Sequence, residues 1–447
     1  MSRVVVVGAG VGGLAAAMRL AHAGHAVTVV EQAAAPGGKC GRVSAGAFAW
    51  DSGPSLLTLP QVFEALFQDT GAPLPVPLQR VEPVTRYRFA DGSGFDLSAD
   101  TERSVAALEE WSPGAGAHWR RFLATCEGMW RASIPFLTGP PPWPPRRSDS
   151  RAPLDLVRVK PWWTLRQLAR AHTSEPRLQM VIERFATYAG ADPRRAPAAL
   201  AVAGYVEHAF GAWHPRGGLY ALVEAMVARL RELGGDLRLS TPVRHAARGG
   251  VETVTGFVPA DLVIANADPR PLAPEERSLS GLALMLGLRG RGTERPHHAI
   301  TFPADYDAEL DDVFVQRQPV RDPTIYVSAP PEAPQDAEAW FVLVNAPAVG
   351  DGADWIRSEE ELIDRLGVRD RILERARRTP GDLERETGAA GGAIYGRAPH
   401  GRLGTLRRPR NAVCDGLWLV GGTTHPGGGL PLVVLSGKIV ADQIGPA

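Results

Sequence analysis

Near its start, the chain runs from an uninterrupted β-branched stretch through a glycine-rich turn into a helix-forming stretch. Residues 4–7 are all valine and predict a strand that is buried on both faces. Residues 14–20 are rich in alanine and leucine and predict a helix, which Gly24 ends. Residues 25–30 predict a second strand, so the opening of the chain forms a strand–helix–strand unit.

Later segments show the same two periodicities. Residues 217–233 place apolar side chains at helical spacing and predict an amphipathic helix. Residues 237–243 and 261–268 predict two further strands. Residues 417–420 predict a strand that enters a glycine-rich turn, and a last helix is expected to open at residues 436–438. Strands that alternate with helices predict an α/β fold.

The composition is that of an ordinary globular protein. The chain has 447 residues, 44% of them hydrophobic and 22% charged, which allows a large core in two or three structural units. Its 49 basic residues equal its 49 acidic residues, and the pI is about 7.2. This balance gives no overall basic footprint, so no nucleic-acid partner is expected.

The cysteines and the apolar segments limit the compartment. Cys40, Cys126 and Cys414 are far apart in sequence, which excludes a cysteine-built metal site and fits a reducing compartment. The N-terminus enters a strand pattern rather than a secretory signal, and no apolar run reaches the roughly 18 residues of a membrane span. We therefore expect a cytoplasmic protein, soluble or at a membrane surface, without a metal centre.

The turn after the first strand has the spacing of a dinucleotide-binding motif. Gly8 permits the tight turn, Gly10 lets a pyrophosphate approach the backbone, and Gly13 lets the helix pack on the strand. The helix N-terminus supplies amide donors for phosphate. Glu31 follows about 20 residues later, where its carboxylate would accept hydrogen bonds from a ribose hydroxyl. The predicted dinucleotide site consists of Gly8, Gly10, Gly12, Gly13, Glu31 and Gln32.

A second glycine-rich loop follows the second strand. Residues 36–42 place glycines beside a lysine and an arginine, so the loop can approach a pyrophosphate while a cation offsets its charge. A plain NAD-binding domain does not need this loop, and no second glycine motif lies between a strand and a helix, which makes a site for NADPH unexpected. The loop and the following turn add Gly38, Lys39, Gly53, Pro54 and Ser55 to the predicted site.

These motifs resemble the FAD-binding half of the superfamily of amine oxidases, protoporphyrinogen oxidases and carotenoid desaturases. Three later blocks, residues 185–218, 297–327 and 416–431, are more similar to the carotenoid desaturases, the phytoene-desaturase-like flavoproteins. The most specific part is the HPGGGLP run at residues 425–431. The resemblance implies FAD as the cofactor and an activity that introduces C=C bonds into an acyclic carotenoid.

The resemblance also implies contacts of later segments with FAD. The C-terminal glycine turn is expected to place backbone amides under the flavin ring, where negative charge develops on reduction. In FAD enzymes of this type a valine brackets the adenine through its backbone. Asn266 and Asp268 end another strand and either touch FAD or cap that strand. The segments add Val243, Gly421, Gly422, Gly429, Leu430 and Pro431 to the predicted cofactor site.

The architecture that the resemblance implies is interleaved. It consists of a Rossmann-type FAD-binding domain (1–75, 215–272 and 395–447), a discontinuous α+β substrate domain (76–100 and 273–394) and a helical, membrane-facing cap (101–214). A long polyene must leave a bilayer, so a surface-bound mode is expected. Tryptophans and basic residues at 139–147 and 160–163 suit a headgroup layer. The alternative is an irregular linker whose tryptophans pack inward.

Desaturation removes a hydride and a proton from neighbouring carbons. The flavin N5 accepts the hydride, so the protein must bind an apolar rod and provide a proton acceptor. The candidate catalytic residues are His425, Glu207, His298 and His214. Histidine and glutamate also serve purely structural roles as hydrogen-bonded residues. His425 ranks first because it directly precedes the glycines that are expected to lie near the flavin. Oxygen or a membrane quinone is expected to reoxidise the flavin.

Other functions stay open at this point. The substrate is either an early, phytoene-like carotenoid or a late one with a hydroxylated or methoxylated end group. A carotenoid isomerase or ketolase would share the fold and the cofactor. An amine or porphyrinogen oxidase would need polar handles for its substrate, and a purely structural role would leave the FAD motifs unused.

Overall fold

The computed structural model describes residues 1–141, 157–268, 272–292 and 295–447. Its helices are α1 (Val11–His22), α2 (Gln61–Asp69), α3 (Thr101–Trp111), α4 (Ala115–Thr138), α5 (Leu165–His172), α6 (Pro176–Arg184), α7 (Val202–Phe210), α8 (Tyr220–Glu232), α9 (Tyr306–Asp311), α10 (Trp355–Leu366), α11 (Pro380–Thr387) and α12 (Leu430–Ile444). Its strands are β1 (Arg3–Val7), β2 (Ala26–Val30), β3 (Arg42–Ala45), β4 (Phe48–Asp51), β5 (Leu78–Val81), β6 (Thr85–Arg88), β7 (Gly94–Leu97), β8 (Ala212–Pro215), β9 (Asp236–Arg238), β10 (Val243–Ala247), β11 (Gly250–Thr253), β12 (Gly256–Pro259), β13 (Leu262–Ala265), β14 (Ser280–Arg289), β15 (His298–Thr301), β16 (Ile325–Ser328), β17 (Ala337–Ala346), β18 (Ile372–Arg378), β19 (Ala412–Cys414) and β20 (Leu417–Leu419).

A six-stranded sheet joins both ends of the chain in the order β19-β20-β13-β1-β2-β9. Its strands run parallel except for the edge strand β19. In β1, Val5 pairs with Thr28 on one side and with Val263 on the other, so this strand is interior to the sheet, and its residues 4–7 are all valine. Helices α1, α8 and α12 cover one face of the sheet, where Val4 and Val6 are buried.

The opposite face of this sheet is covered by a three-stranded antiparallel sheet, β10-β11-β12. Val5 and Val263 pack there against Val251 and Ala260. Alternate side chains of β1 therefore point into two different apolar layers, as the period of a strand requires.

A second, seven-stranded sheet has the order β18-β14-β17-β16-β15-β6-β7. Its strands β14 and β17 pair over their full length, from Ser280–Ala346 to Arg289–Ala337. Helix α10 covers one face, and the hairpin β3-β4 packs its Phe48 and Trp50 against the other. Helices α3 to α7 pack around a separate aromatic-rich core.

Two expectations about element boundaries are wrong. Residues 237–243 form the strands β9 and β10 rather than one strand, because Ser240 between them has φ +51. The last helix opens at Leu430 rather than at residues 436–438, since Pro431 occupies its first turn, where proline is well tolerated. The observed architecture is a mixed α/β fold.

Candidate functional site

The turn between β1 and α1 has no room for side chains. Gly8 has φ +97, and a Cβ on Gly13 would lie 2.2 Å from the Gly8 carbonyl oxygen. A Cβ on Gly12 would lie 2.9 Å from the Cα of Gly421, so this turn touches the C-terminal glycine turn directly. Helix α1 begins at Val11 without a side-chain cap, which leaves the amides of its first turn for an external acceptor.

Asn266 supports this turn from the end of β13. Its backbone N–H donates to Val7 O at 2.8 Å, and its Nδ2 donates to Gly8 O at 3.4 Å. A Cβ on Gly10 would lie 2.7 Å from the same Nδ2. Asn266 therefore supports the backbone of this turn, and its contact with FAD stays a prediction.

Glu31 is buried at the end of β2. Its two carboxylate oxygens accept hydrogen bonds from Ala9 N at 2.7 Å and from Ala33 N at 2.8 Å. The carboxylate therefore fixes the glycine turn, and its contact with a ribose stays a prediction. The neighbouring Gln32 is exposed, and its Nε2 donates to Glu386 O at 3.1 Å.

The second glycine loop lies against the first. Gly37 N donates to Ala9 O at 2.9 Å, and Gly38 follows with φ +58. The Lys39 ammonium group donates to Ala393 O at 3.0 Å and to Ile394 O at 2.7 Å. Burial lowers the pKa of Lys39 to about 8. Lys39 thus links this loop to residues 393–394, and its contact with a pyrophosphate stays a prediction.

The turn at residues 53–55 joins this loop to the seven-stranded sheet. A Cβ on Gly53 would lie 1.8 Å from Lys39 O, so the two loops are in backbone contact. Pro54 follows, and Ser55 Oγ donates to the hydroxyl of Tyr326 on β16 at 2.8 Å. The predicted cofactor turn therefore leads directly into the group of candidate catalytic residues.

The C-terminal glycine turn completes the arrangement. Gly421 has φ +105, and a Cβ there would lie 2.3 Å from Asn266 Oδ1, while Gly422 follows it. Gly429 has φ +105 and precedes Leu430 without a side-chain cap, so α12 also opens with free amides.

Helix α12 crosses α1 closely. A Cβ on Gly437 would lie 2.8 Å from Ala16 N and 3.0 Å from Gly12 O. Val243 is more distant: it opens β10 and packs beside the apolar cluster of β1, β2 and β13. Thr241 N donates to Glu31 O at 2.7 Å, which holds the preceding segment against the end of β2.

These residues fit a dinucleotide. Two uncapped helix N-termini, α1 and α12, open from glycine turns that touch each other, and a buried carboxylate lies at the end of the neighbouring strand. Within the described residues, no cluster of His, Cys, Asp and Glu could hold a metal ion.

Among the candidate catalytic residues, His298 and His214 lie in one row of histidines on and beside β15. The ring of His297 lies 4.7 Å from that of His214 and 4.4 Å from that of His298. His214 Nε2 lies 2.7 Å from a carboxylate oxygen of Glu332 at the surface end of the row.

At the inner end of this row, His298 Nδ1 lies 2.7 Å from the Tyr326 hydroxyl. Its Nε2 is buried without a hydrogen-bond partner. Burial, followed by the neighbouring His297 and His214, keeps the pKa of His298 well below its ordinary value. The imidazole is therefore neutral at physiological pH.

The other two candidates lie in different surroundings. Glu207 accepts from Thr85 Oγ1 at 3.2 Å and from the Tyr188 hydroxyl at 2.9 Å, and burial raises its pKa. His425 Nε2 lies 2.9 Å from Gly139 O, and its ring meets Phe136 edge-on. His425, the first candidate from the sequence, therefore contacts the C-terminal end of α4 through Phe136.

Arg184 is a buried, charged residue that was not among the site residues predicted from the sequence. It ends α6 and is 7% exposed. Its guanidinium lies 4.6 Å from the ring of Tyr188 and donates to the Tyr87 hydroxyl at 3.3 Å. Its charge also influences the pKa values of Glu207 and His298, so it lies among the candidate catalytic side chains. A charged residue near an apolar helix end has no sequence signal that separates it from a surface arginine.

The tryptophan-rich segment is described in part, because residues 142–156 lie outside the described residues. Trp162 is 48% exposed, whereas Trp163 packs against the helical core and lies 4.8 Å from Lys160 Nζ. One tryptophan therefore faces out and the other faces in.

Beside these tryptophans lies a surface cavity of about 530 Å³. Its lining includes Trp162, Trp163, Arg195, Arg402 and Arg407. Among the helices of the described residues, none has both the length and the apolar composition needed to cross a bilayer.

Comparison with known proteins finds relatives that match this chain over nearly its full length. Residues 11–286 match the family described as "Flavin containing amine oxidoreductase". The chain is 34% identical to a hydroxyneurosporene desaturase of Rubrivivax gelatinosus, over 99% of this chain and 93% of the relative. It is 32% identical to a 4,4'-diapolycopene oxygenase of Methylomonas sp (99% and 98%) and to a zeta-carotene-forming phytoene desaturase of Myxococcus xanthus (99% and 93%).

Solved structures show the same fold at lower identity. A putrescine oxidase variant matches with a TM-score of 0.65 and 15% identity, covering 99% of this chain and 98% of its own. The cyclohexylamine oxidase of Brevibacterium oxydans matches with a TM-score of 0.64 at the same identity and coverage.

Proposed function

The chain belongs to the family of flavin containing amine oxidoreductases, and we propose that it is an FAD-dependent carotenoid desaturase. The observation that carries this proposal is its similarity, over almost the full length of both partners, to proteins named for acting on carotenoids. FAD is the cofactor of the family. In our proposal, this chain binds FAD with the two glycine turns and Glu31.

We assign the FAD contacts to the two uncapped helix ends and the buried carboxylate. The amides at the start of α1 serve the pyrophosphate, Glu31 serves the adenosine ribose, and the turn from Gly421 to Leu430 serves the flavin ring. The two basic side chains of the second glycine loop already have partners within the protein. Lys39 donates to backbone carbonyls, and Arg42 pairs with Glu224 at 3.2 Å. Backbone amides therefore carry most of the phosphate charge in this proposal.

When bound, FAD supplies the acceptor for the hydride that leaves the substrate. His298 then accepts the proton from the neighbouring carbon. In the tautomer in which Nδ1 donates to Tyr326, its buried Nε2 carries a lone pair without a hydrogen-bond partner. Ser55 donates to the same Tyr326 hydroxyl, which links the orientation of this imidazole to the cofactor turn.

The row of ring contacts from His298 through His297 to His214 leads towards the surface. It ends at Glu332, whose side chain is 40% exposed. Burial opposes ionisation of Glu332, but the hydrogen bond to His214 lowers its pKa to about 2. In this proposal Glu207 and His425 are positioning residues, because each already holds a neighbouring segment through hydrogen bonds.

A His298→Gln variant tests this assignment. The amide can keep the bond to Tyr326 but cannot accept the proton, so kcat should fall by roughly 100-fold or more while FAD remains bound. His22→Gln changes an exposed histidine at the far end of α1 and should leave kcat unchanged. If His298→Gln keeps the wild-type rate, the proton acceptor is another group.

We also propose that the protein binds membrane surfaces through Trp162 and the neighbouring cavity. An exposed indole beside Arg195, Arg402 and Arg407 combines an apolar anchor with cations for anionic lipid. Flotation with vesicles of anionic phospholipid should recover the wild type and lose a Trp162→Ala/Arg407→Gln double variant. Equal flotation of both proteins would place the membrane contact elsewhere.

Pigment analysis of producing cells tests the activity as a whole. Hosts that accumulate phytoene or a hydroxylated acyclic carotenoid should yield products that lack pairs of hydrogens and absorb at longer wavelength. Added oxygen would instead indicate an oxygenase, the second candidate, which the Methylomonas relative favours. An unchanged mass with new isomers would indicate an isomerase, and no change with FAD-loaded protein would indicate a substrate outside the carotenoids. Oxygen and a quinone are the electron acceptors to compare with purified protein.

A further inference from the structure

Arg184 is an unusual residue to find beside a site for hydrocarbon. It is buried, and a guanidinium has five N–H donors, of which the bond to Tyr87 at 3.3 Å uses one. Tyr188 also lies beside the guanidinium, with its ring centroid at 4.6 Å and its hydroxyl as a second hydrogen-bonding group, which leaves the remaining donors for a ligand. Glu207 influences Arg184 at longer range, because its carboxylate is held by Thr85 and Tyr188 instead.

The position of Arg184 connects the helical core to the other two parts of the proposed active site. Burial governs the pKa values of Tyr326 and Tyr395 and raises each to about 12, and the charge of Arg184 acts on both. Tyr326 belongs to the row with His298. The ring of Tyr395 lies against the C-terminal glycine turn, since a Cβ on Gly428 would be 2.5 Å from its Cδ1. Arg184 thus contacts the seven-stranded sheet through Tyr87 on β6, and its charge acts on the tyrosine that lies beside the glycine turn.

This charge is unfavourable for the chemistry of a hydrocarbon substrate. Removal of a hydride leaves positive character on the substrate carbon, which a nearby guanidinium repels. Desolvating an arginine also costs free energy unless its donors find acceptors. The desolvation penalty is offset when the substrate itself brings an oxygen atom that accepts from these donors.

We propose that Arg184 binds an oxygen-bearing end group of the substrate, such as a tertiary hydroxyl or an ether. The free donors of the guanidinium then meet a hydrogen-bond acceptor, and Glu207, linked through the Tyr188 hydroxyl, balances the charge. Arg184 selects oxygenated acyclic carotenoids over the corresponding hydrocarbons. This inference rests on the proposed desaturase function and specifies its substrate class.

A competition assay tests the inference. FAD-loaded wild-type protein is given an acyclic carotene and its derivative with one terminal tertiary hydroxyl, in equal amounts in the same vesicles, and the products are separated. The wild type should convert the hydroxylated carotenoid at least about 10-fold faster, because a site built for a hydroxyl discriminates against a substrate that lacks it. Equal conversion by the wild type would overturn the inference without affecting the desaturase proposal. Conversion of neither substrate would refute the desaturase proposal itself.

Variants then assign the preference to this residue. Arg184→Met should bring the ratio of the two rates close to one, mainly by slowing the hydroxylated substrate, whereas Arg184→Lys should keep part of the preference. Arg357→Met removes an exposed arginine of α10 and is the matched control. An equal loss on both substrates in Arg184→Met, with FAD still bound, would show that Arg184 has a structural role. If Arg184→Met does not fold, Tyr87→Phe, which frees one further donor, must still change the ratio.

Discussion

Replacing Glu31 by glutamine separates the two tasks that the structure gives this residue. The carboxylate accepts from Ala9 N at 2.7 Å and from Ala33 N at 2.8 Å. Glutamine has one acceptor oxygen, so its NH₂ group must face one of these amides, and a buried N–H loses its partner. An unsatisfied buried donor costs about 1–3 kcal/mol, so the apoprotein should unfold at a midpoint lower by a few degrees.

The same substitution should weaken FAD binding. A hydrogen bond from a ribose hydroxyl to a carboxylate is worth about 1.5–3 kcal/mol, which corresponds to roughly 10-fold to 150-fold in Kd. Thermal unfolding of the apoproteins and titration of flavin fluorescence measure the two effects separately. Glu110→Gln alters an exposed glutamate of α3 and should change neither. Wild-type stability together with wild-type affinity in Glu31→Gln would refute both the hydrogen-bond argument and the cofactor site.

Three further predictions follow from the packing and the buried histidines. Gly437→Leu should destabilise the protein by about 1–3 kcal/mol and weaken FAD binding, because a Cβ there would lie 2.8 Å from Ala16 N; unchanged unfolding curves would contradict it. Gly10→Val should abolish FAD binding while near-UV circular dichroism stays native, and retention of flavin would place the pyrophosphate elsewhere. Burial lowers the pKa of His297 to about 3 from 6.5, so its contribution to stability is present above pH 6.5 and is lost as the pH falls towards 3. Denaturant unfolding between pH 7 and 5 should therefore show a smaller loss of stability in His297→Phe than in the wild type. Glu309, whose pKa burial raises to about 7, acts in the opposite direction but is common to both proteins, and equal slopes would contradict the prediction.

Local rules predicted the geometry of the β1–α1 turn because its requirements lie within one strand–helix–strand unit. The glycines of the β1–α1 turn, the helix after them and the acidic residue that ends β2 follow from steric limits and strand periodicity. The break at Ser240 was missed because the apolar residues on both sides were given more weight than Pro242, which cannot donate a strand hydrogen bond.

The surroundings of His298, the proposed proton acceptor, and of Arg184 depend on contacts that sequence spacing does not contain. His214 and His298 are distant in sequence and become neighbours because β8 and β15 bring them to either side of His297. Arg184 and Glu207 are both near helix ends, where charged residues are usually solvated, and their burial follows from the packing of α6 and α7 into the helical core. The sequence shows that these residues are charged, but it does not show that they are buried.

The contact between the two ends of the chain explains why the proposed cofactor site has so little freedom. Gly12 faces Gly421, and Gly437 faces the backbone of α1, so each glycine turn is shaped by the other as much as by its own residues. Asn266, from the middle of the chain, lies between them and bonds to Gly8 O. A side chain at Gly12 or Gly437 would displace backbone, which is the costly case, and one at Gly421 would displace the Asn266 side chain. The geometry that we assign to FAD is therefore a property of the complete sheet, and the uncapped amides of α1 and α12 acquire their common direction only when β1, β13 and β20 are paired.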